Sequence, residues 1–353
     1  MRILVLDNDE CTAYFSPLSL IHNMLWYLIT PEYVQLVEGY TLEQLRLVAL
    51  FTAAQFLGFT CIRGLYGRPR IVDFLQTVMQ LKVQGYIDYV VMYTFASDTR
   101  GTYTHFVSKM LQAAIGSRVA LFDLLISRNV AEDNGVRHET IQGRFVKKHI
   151  DLVRKLLRDK GLPVQDESFL MFDDIVGSIV DTVHPITKQI TETNVVNVPP
   201  YTVRADPDFP LQLWTSLAYE LGKKFNIHIS RKLLTATLQD EELGVVDVFT
   251  YFNRKFLYPL NFNGTIFHES SQDVAARDSA VETIMIPNLI SWINSTAATP
   301  IRQPIPVFPR VVQPLLSLEV AEEAIMNAKL PLPPPELGGG CILEDPHIEC
   351  TRE

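Results

Sequence analysis

Six positions carry most of the chemistry that can be read from this sequence: an acid pair at Asp7 and Asp9, a hydroxyl at Thr94, a cation at Lys147, and a second acid pair at Asp173 and Asp174. Each stands at or just after an apolar run, or at the start of a helical pattern. Two separated carboxylate clusters, Asp7 with Asp9 and Asp173 with Asp174, can hold a hard divalent cation through oxygen ligands and leave positions open for water and a phosphate. Thr94 supplies a hydroxyl for a phosphoryl oxygen, and Lys147 supplies a charge to neutralise it, with Lys148 the alternate if the register slips by one. Asp7, the first acid after the first run, is placed to attack phosphorus in line and form an aspartyl phosphate. Asp9 is placed to protonate the leaving alkoxide and later to deprotonate water, given a proton affinity raised by burial and neighbouring charge.

These residues need a scaffold that brings strand ends together. Ile3 to Leu6 read as a strand buried on both faces, ending in Asp7-Asn8-Asp9-Glu10. From Leu18 to about Phe59 the apolar spacing is helical, split by Pro31. Arg68-Pro69 opens a further helix through Ile71, Phe74, Leu75 and Val78, and Tyr86 to Tyr93 read as the second strand. A helix over Tyr103 to Ala114, apolar runs at Val119 to Ile126 and Ser168 to Phe172, and an amphipathic helix from Val146 to Lys160 continue the alternation. A short strand within Asn194 to Tyr201 and a helix over Asp208 to Phe225 complete it. This rhythm predicts an α/β fold with a doubly wound, mainly parallel sheet, in which ligands sit at the carboxyl ends of the strands.

Beyond residue 225 the pattern changes. An Asn263-Gly264 pair suggests a hairpin, and Ser279 to Ser295 suggest a helix kinked by Pro287. Nine of the 21 prolines fall between Pro300 and Pro335, which predicts an extended arm rather than a further domain. The expected division is 1–225 for the α/β unit, 226–299 for a mixed α/β extension, and 300–353 for a proline-rich arm and tail.

The four motifs, in this order, resemble those of the haloacid dehalogenase superfamily: Asp-x-Asp, a Thr or Ser, a Lys, and a pair of acids. Within it the chain is most similar to the NLI-interacting-factor-like phosphatases, the group that includes the RNA polymerase II C-terminal-domain phosphatases. The phrases that carry the resemblance are Leu6-Asp7-Asn8-Asp9-Glu10, Gly67-Arg68-Pro69-Arg70-Ile71-Val72-Asp73-Phe74-Leu75, Val91-Met92-Tyr93-Thr94-Phe95-Ala96-Ser97, Phe145-Val146-Lys147-Lys148 and Phe172-Asp173-Asp174. The resemblance covers roughly residues 1 to 225 and implies a haloacid dehalogenase-like Rossmannoid fold and a Mg²⁺-dependent phosphatase acting on phosphoserine or phosphothreonine. In it Asp7 is the nucleophile, Asp9 the general acid/base and a backbone-carbonyl ligand, Thr94 and Lys147 bind phosphate, and Asp173 and Asp174 are metal-side acids. Three features depart from the family: Cys11 where Thr or Val is usual, Asp174 where Asn is common, and far more chain between Cys11 and Arg68. The extra length suggests a helical cap inserted over residues 12–67. The alternatives are a catalytically idle member serving as a structural or assembly component, and a phosphatase for a small molecule or nucleotide.

Composition narrows the partners. With 47% hydrophobic and 20% charged residues in 353, the chain has the makeup of an ordered globular protein. The net charge of −9 disfavours polymeric nucleic acid and anionic membrane surfaces. The most apolar stretch, Leu45 to Phe59, is shorter than the roughly 20 residues of a bilayer span. Four cysteines are too sparse for a disulfide framework, eight histidines show no metal-ligand spacing, and the amino terminus leaves no room for a secretory signal. An intracellular setting is expected, cytoplasmic or nuclear, or a virion if the source is a virus. A phosphoprotein or small phosphate ester is the expected substrate, with residues 226–353 the expected place for a protein partner.

Overall fold

The computed structural model describes residues 1–34, 40–64, 66–96, 98, 101–136, 140–141, 144–145, 148–164, 167–175, 179–180, 182–183, 190–191, 194–202, 209–225, 227–228, 237–240, 244–247 and 271–296. The Asn263-Gly264 hairpin and the proline-rich arm lie outside them.

Five strands form a wholly parallel sheet: β1 (Arg2–Leu6), β2 (Tyr89–Tyr93), β3 (Leu124–Ile126), β7 (Ser168–Asp173) and β11 (Asn194–Asn197), in the spatial order β11-β7-β1-β2-β3. The chain leaves the central strand β1 in one direction for β2 and β3, then returns to its other side for β7 and β11. The switch point therefore falls between β1 and β7, where an open parallel sheet leaves a crevice at its carboxyl edge.

Side chains alternate across the strands, so both faces of the sheet must be covered. Leu4, Leu6, Met92, Leu170 and Phe172 face a cluster built with α1 (Ser16–Leu28), α2 (Leu42–Leu57), α3 (Ile71–Val83), α4 (Tyr103–Ile115) and α7 (Phe209–Phe225). Ile3, Val5, Val91, Tyr93 and Met171 face the other way, toward α5 (Arg128–Asp133) and α6 (Ile150–Asp159). This is why the strands read as continuous apolar runs.

Residues 12–67, expected to hold a helical cap, supply α1 and α2, whose buried side chains belong to the same cluster as the sheet face. Helix α2 starts with a reciprocal cap, Thr41 Oγ1 accepting the Gln44 N–H and Gln44 Oε1 accepting the Thr41 N–H. It runs on through a π turn at Gly58–Ile62, and the combined run Leu42–Ile62 is long and apolar enough to cross a bilayer by length and composition. The apolar stretch read from the sequence, Leu45 to Phe59, is shorter than this helix at both ends. Two-thirds of its most apolar window is buried inside the protein, against α4 above all. Gly58 allows the close approach, since a Cβ there would lie 2.3 Å from the Met110 carbonyl oxygen.

The carboxyl-terminal helices belong to this body too. Helix α8 (Ser271–Ala280), a π turn (Val281–Met285) and α9 (Ile286–Thr296) bury Val281, Met285, Leu289, Trp292 and Ile293 in the first cluster, and Trp292 Nε1 donates to Ser168 Oγ at 2.8 Å. The sequence reading assigned this segment to an extension and placed a proline kink in it. A π turn, Val281–Met285, interrupts the helix just before Pro287.

Short ladders complete the described chain: β4 (Thr140–Ile141) with β5 (Arg144–Phe145), β6 (Lys148–His149) with β8 (Ile179–Val180), β9 (Thr182–Val183) with β10 (Ile190–Thr191), and the antiparallel pair β12 (Thr237–Asp240) and β13 (Gly244–Asp247). The amphipathic helix expected from Val146 begins only at Ile150, because Lys148 and His149 are drawn into the parallel ladder with β8.

Candidate functional site

The carboxyl ends of β1 and β7 place two acids side by side. Asp7 follows β1 directly and its N–H donates to the Phe172 carbonyl at 2.9 Å, while Asp173 is the last residue of β7. Both are buried, and Asp174 is partly buried beside them. One carboxylate oxygen from each of Asp7, Asp173 and Asp174 lies within 4.8 Å of the others.

Lys148 lies between them. Its Nζ is 2.6 Å from Asp7 Oδ1 and 2.7 Å from Asp173 Oδ2, and its side chain is only 1% exposed. Burial works against the ammonium, but Asp7 and then Asp173 outweigh it and hold the pKa above the usual lysine value. Two aromatic residues at the end of β2 lie beside this lysine: the hydroxyl of Tyr93, the strand's last residue, accepts the His149 N–H at 3.2 Å, and the Phe95 ring centroid is 5.6 Å from Nζ. Lys147, which the sequence reading preferred, lies outside the described residues. The signal for Lys148 was present in the Lys147-Lys148 pair. The apolar spacing of Val146, Ile150, Val153 and Leu157 carries the helix back to Val146, whereas it begins at Ile150.

Asp9 and Thr94 form the second half of the site. The Thr94 hydroxyl donates to Asp9 Oδ2 at 2.9 Å and accepts the Ala96 N–H at 3.0 Å. Asp9 adds no carboxylate to the acidic cluster; its main-chain carbonyl, the ligand group expected of it, accepts the Cys11 N–H at 2.6 Å. Burial raises the Asp9 pKa above the ordinary carboxylate value; the Thr94 hydroxyl bond opposes this and the Asp174 charge adds to it.

Asp7 is also raised, by burial first, with Lys148 opposing and Asp173 and Asp174 adding. Asp174 is raised mainly by burial. The Cys11 thiol, buried beside these acids, is pushed well up by burial and then by the Asp7 charge, so it is a packing group rather than a nucleophile.

Three carboxylates this close fit a hard cation. Octahedral Mg²⁺ with oxygens at 2.0–2.1 Å sets its ligand atoms about 3–4 Å apart. The expected consequence has a definite pH sign. A carboxylate whose pKa is raised by folding contributes stability that is fully present below its unfolded value near 3.8 and lost as pH rises through the folded value. A cation bound to the ionised acids reverses that loss. Thermal unfolding followed by circular dichroism, with EDTA or Mg²⁺, should show a larger Mg²⁺ stabilisation at pH 8 than at pH 5. At tenfold excess over Kd the gain is about 1.4 kcal/mol. An equal shift at both pH values, or none, would exclude a cation from these acids.

Comparison with protein-family models, with curated proteins and with solved structures finds no match for this chain.

Proposed function

We propose that the protein is a Mg²⁺-dependent phosphomonoester hydrolase working through an aspartyl phosphate, with Asp7 as nucleophile and Asp9 as general acid/base. The observation that carries this reading is the Asp7–Lys148–Asp173 arrangement at the sheet's switch point, with the hydrogen-bonded Asp9–Thr94 pair beside it.

A cation held by Asp7, Asp173 and Asp174 would offset the charge of the phosphoryl group. In the first step an Asp7 carboxylate oxygen bonds to phosphorus as the ester oxygen leaves, and that oxygen takes the Asp9 proton. The raised proton affinity of Asp9 suits this role. In the second step Asp9, now ionised, takes a proton from water. The water oxygen bonds to phosphorus, and the Asp7–phosphorus bond breaks to release inorganic phosphate. Lys148 holds Asp7 in place and supplies positive charge to the phosphoryl oxygens, and the Thr94 hydroxyl orients Asp9.

Phosphoserine or phosphothreonine in a protein is the first substrate class to try, on the strength of the Gly67-to-Leu75 and Val91-to-Ser97 phrases. Phosphate release should be measured with an aryl phosphate, a phosphopeptide and a nucleotide, each with Mg²⁺ and with EDTA. Mg²⁺-dependent release from at least one is expected. A folded protein that hydrolyses none of them would overturn the reading and favour a structural or assembly role.

A further inference from the structure

Arg68 is among the largest side chains with almost no exposure, and its guanidinium donates to four main-chain carbonyls. Nε donates to Cys11 O at 2.7 Å, Nη2 to Glu10 O at 2.8 Å and to Pro199 O, and Nη1 to Arg277 O at 2.9 Å. These carbonyls come from three distant parts of the chain: the turn after Asp9, the segment after β11, and helix α8. A planar fork with five N–H donors can serve such a set, and an ammonium cannot.

The turn that Arg68 holds has a demanding conformation. Glu10 has φ 57°, in the left-handed region that a non-glycine residue rarely adopts. Its carbonyl takes the Tyr201 N–H at 2.7 Å as well as Arg68, and its own N–H donates to the Ala13 carbonyl at 2.9 Å. Arg68 reaches this position because residues 66–68 run beside 12–14: the Tyr14 N–H donates to Tyr66 O, and the Arg68 N–H to Thr12 O. Gly67 permits that course, since a Cβ there would meet the Ile62 carbonyl oxygen at 1.9 Å.

We infer that Arg68 is a positioning residue for the proposed reaction: it locks the Glu10–Cys11 turn so that Asp9 stays against Thr94, and through the Arg277 carbonyl it ties that turn to helix α8. The catalytic part rests on the phosphatase reading; the locking of the turn does not. The test therefore has two readouts. The first is alkylation of the native protein by iodoacetamide, located by peptide mass spectrometry at Cys11, with Cys61, also buried, as an internal control for folding. The second is the pH profile of kcat and KM for an aryl phosphate.

Arg68→Met should raise Cys11 alkylation at least about tenfold while Cys61 stays protected. It should lower kcat about a hundredfold, the scale of an ångström-sized misplacement, move the pH limb belonging to Asp9, and leave KM within about twofold. Arg68→Lys, which keeps the charge without the fork, should recover only part of each and serves if the methionine variant does not fold. Cys11 as protected as in the wild type, or Cys11 and Cys61 exposed together in both variants, would overturn the inference. Absence of turnover in the wild type would sink the phosphatase reading alone, and the alkylation pattern would still decide whether Arg68 locks the turn.

Discussion

Asp7→Asn is expected to reduce Mg²⁺-dependent release of phosphate by a factor on the order of 10⁴ or more, the scale seen when a covalent nucleophile is removed. The change is nearly isosteric, so packing at the end of β1 is kept. What disappears is the anionic oxygen that forms the bond to phosphorus, because a neutral amide oxygen is a far weaker nucleophile. The fold should survive: the Asp7 main chain keeps its bond to the Phe172 carbonyl, and Lys148 keeps Asp173 as its counter-ion. Circular dichroism should give a melting temperature close to the wild type. Turnover retained with Mg²⁺ would remove Asp7 from the role of nucleophile.

Lys148→Met should damage both stability and activity. Its ammonium is buried between Asp7 and Asp173, and removing one partner of such an arrangement leaves charge uncompensated at a cost of about 3–5 kcal/mol. Without the ammonium, protonation of Asp7 is favoured further. By the sign rule for raised carboxylates, the variant's deficit against the wild type is smaller near pH 5 and larger near pH 8. Turnover should fall by about 10²–10³, as for loss of one electrostatic group aimed at developing charge. Lys147→Met is the comparison that matters. If it, and not Lys148→Met, abolishes turnover, the proposed role of Lys148 is overturned.

Much of the positioning was legible because it depends on strand ends. A strand buried on both faces must be apolar throughout, so the first polar residues after Leu6, Tyr93 and Phe172 mark the carboxyl edge, and Asp7, Thr94 and Asp173 were found by that rule alone. The lysine was harder. A helix pattern carries no sign of where its first turn begins when the preceding residues also fit the period, and a two-residue ladder with Ile179–Val180 is too short to leave a signal. Arg68 could be seen as a residue near a proline, but its role depends on carbonyls at positions 199 and 277, and main-chain partners that distant have no trace in side-chain spacing. The packing of 271–296 into the main core was hidden for a related reason: Val281, Met285, Leu289 and Trp292 show an apolar helix face, but not what covers it.

The buried run Leu42–Ile62 has a consequence for how the chain is made. Its main cover, α4, is completed only at Ile115, roughly fifty residues later, and α7 arrives later still. At about 5–20 residues per second, synthesis leaves the part of that surface covered by α4 without its cover for several seconds, with only α1 already made to pack on it. The packing of this helix is therefore completed only after a partner made some seconds later has left the ribosome.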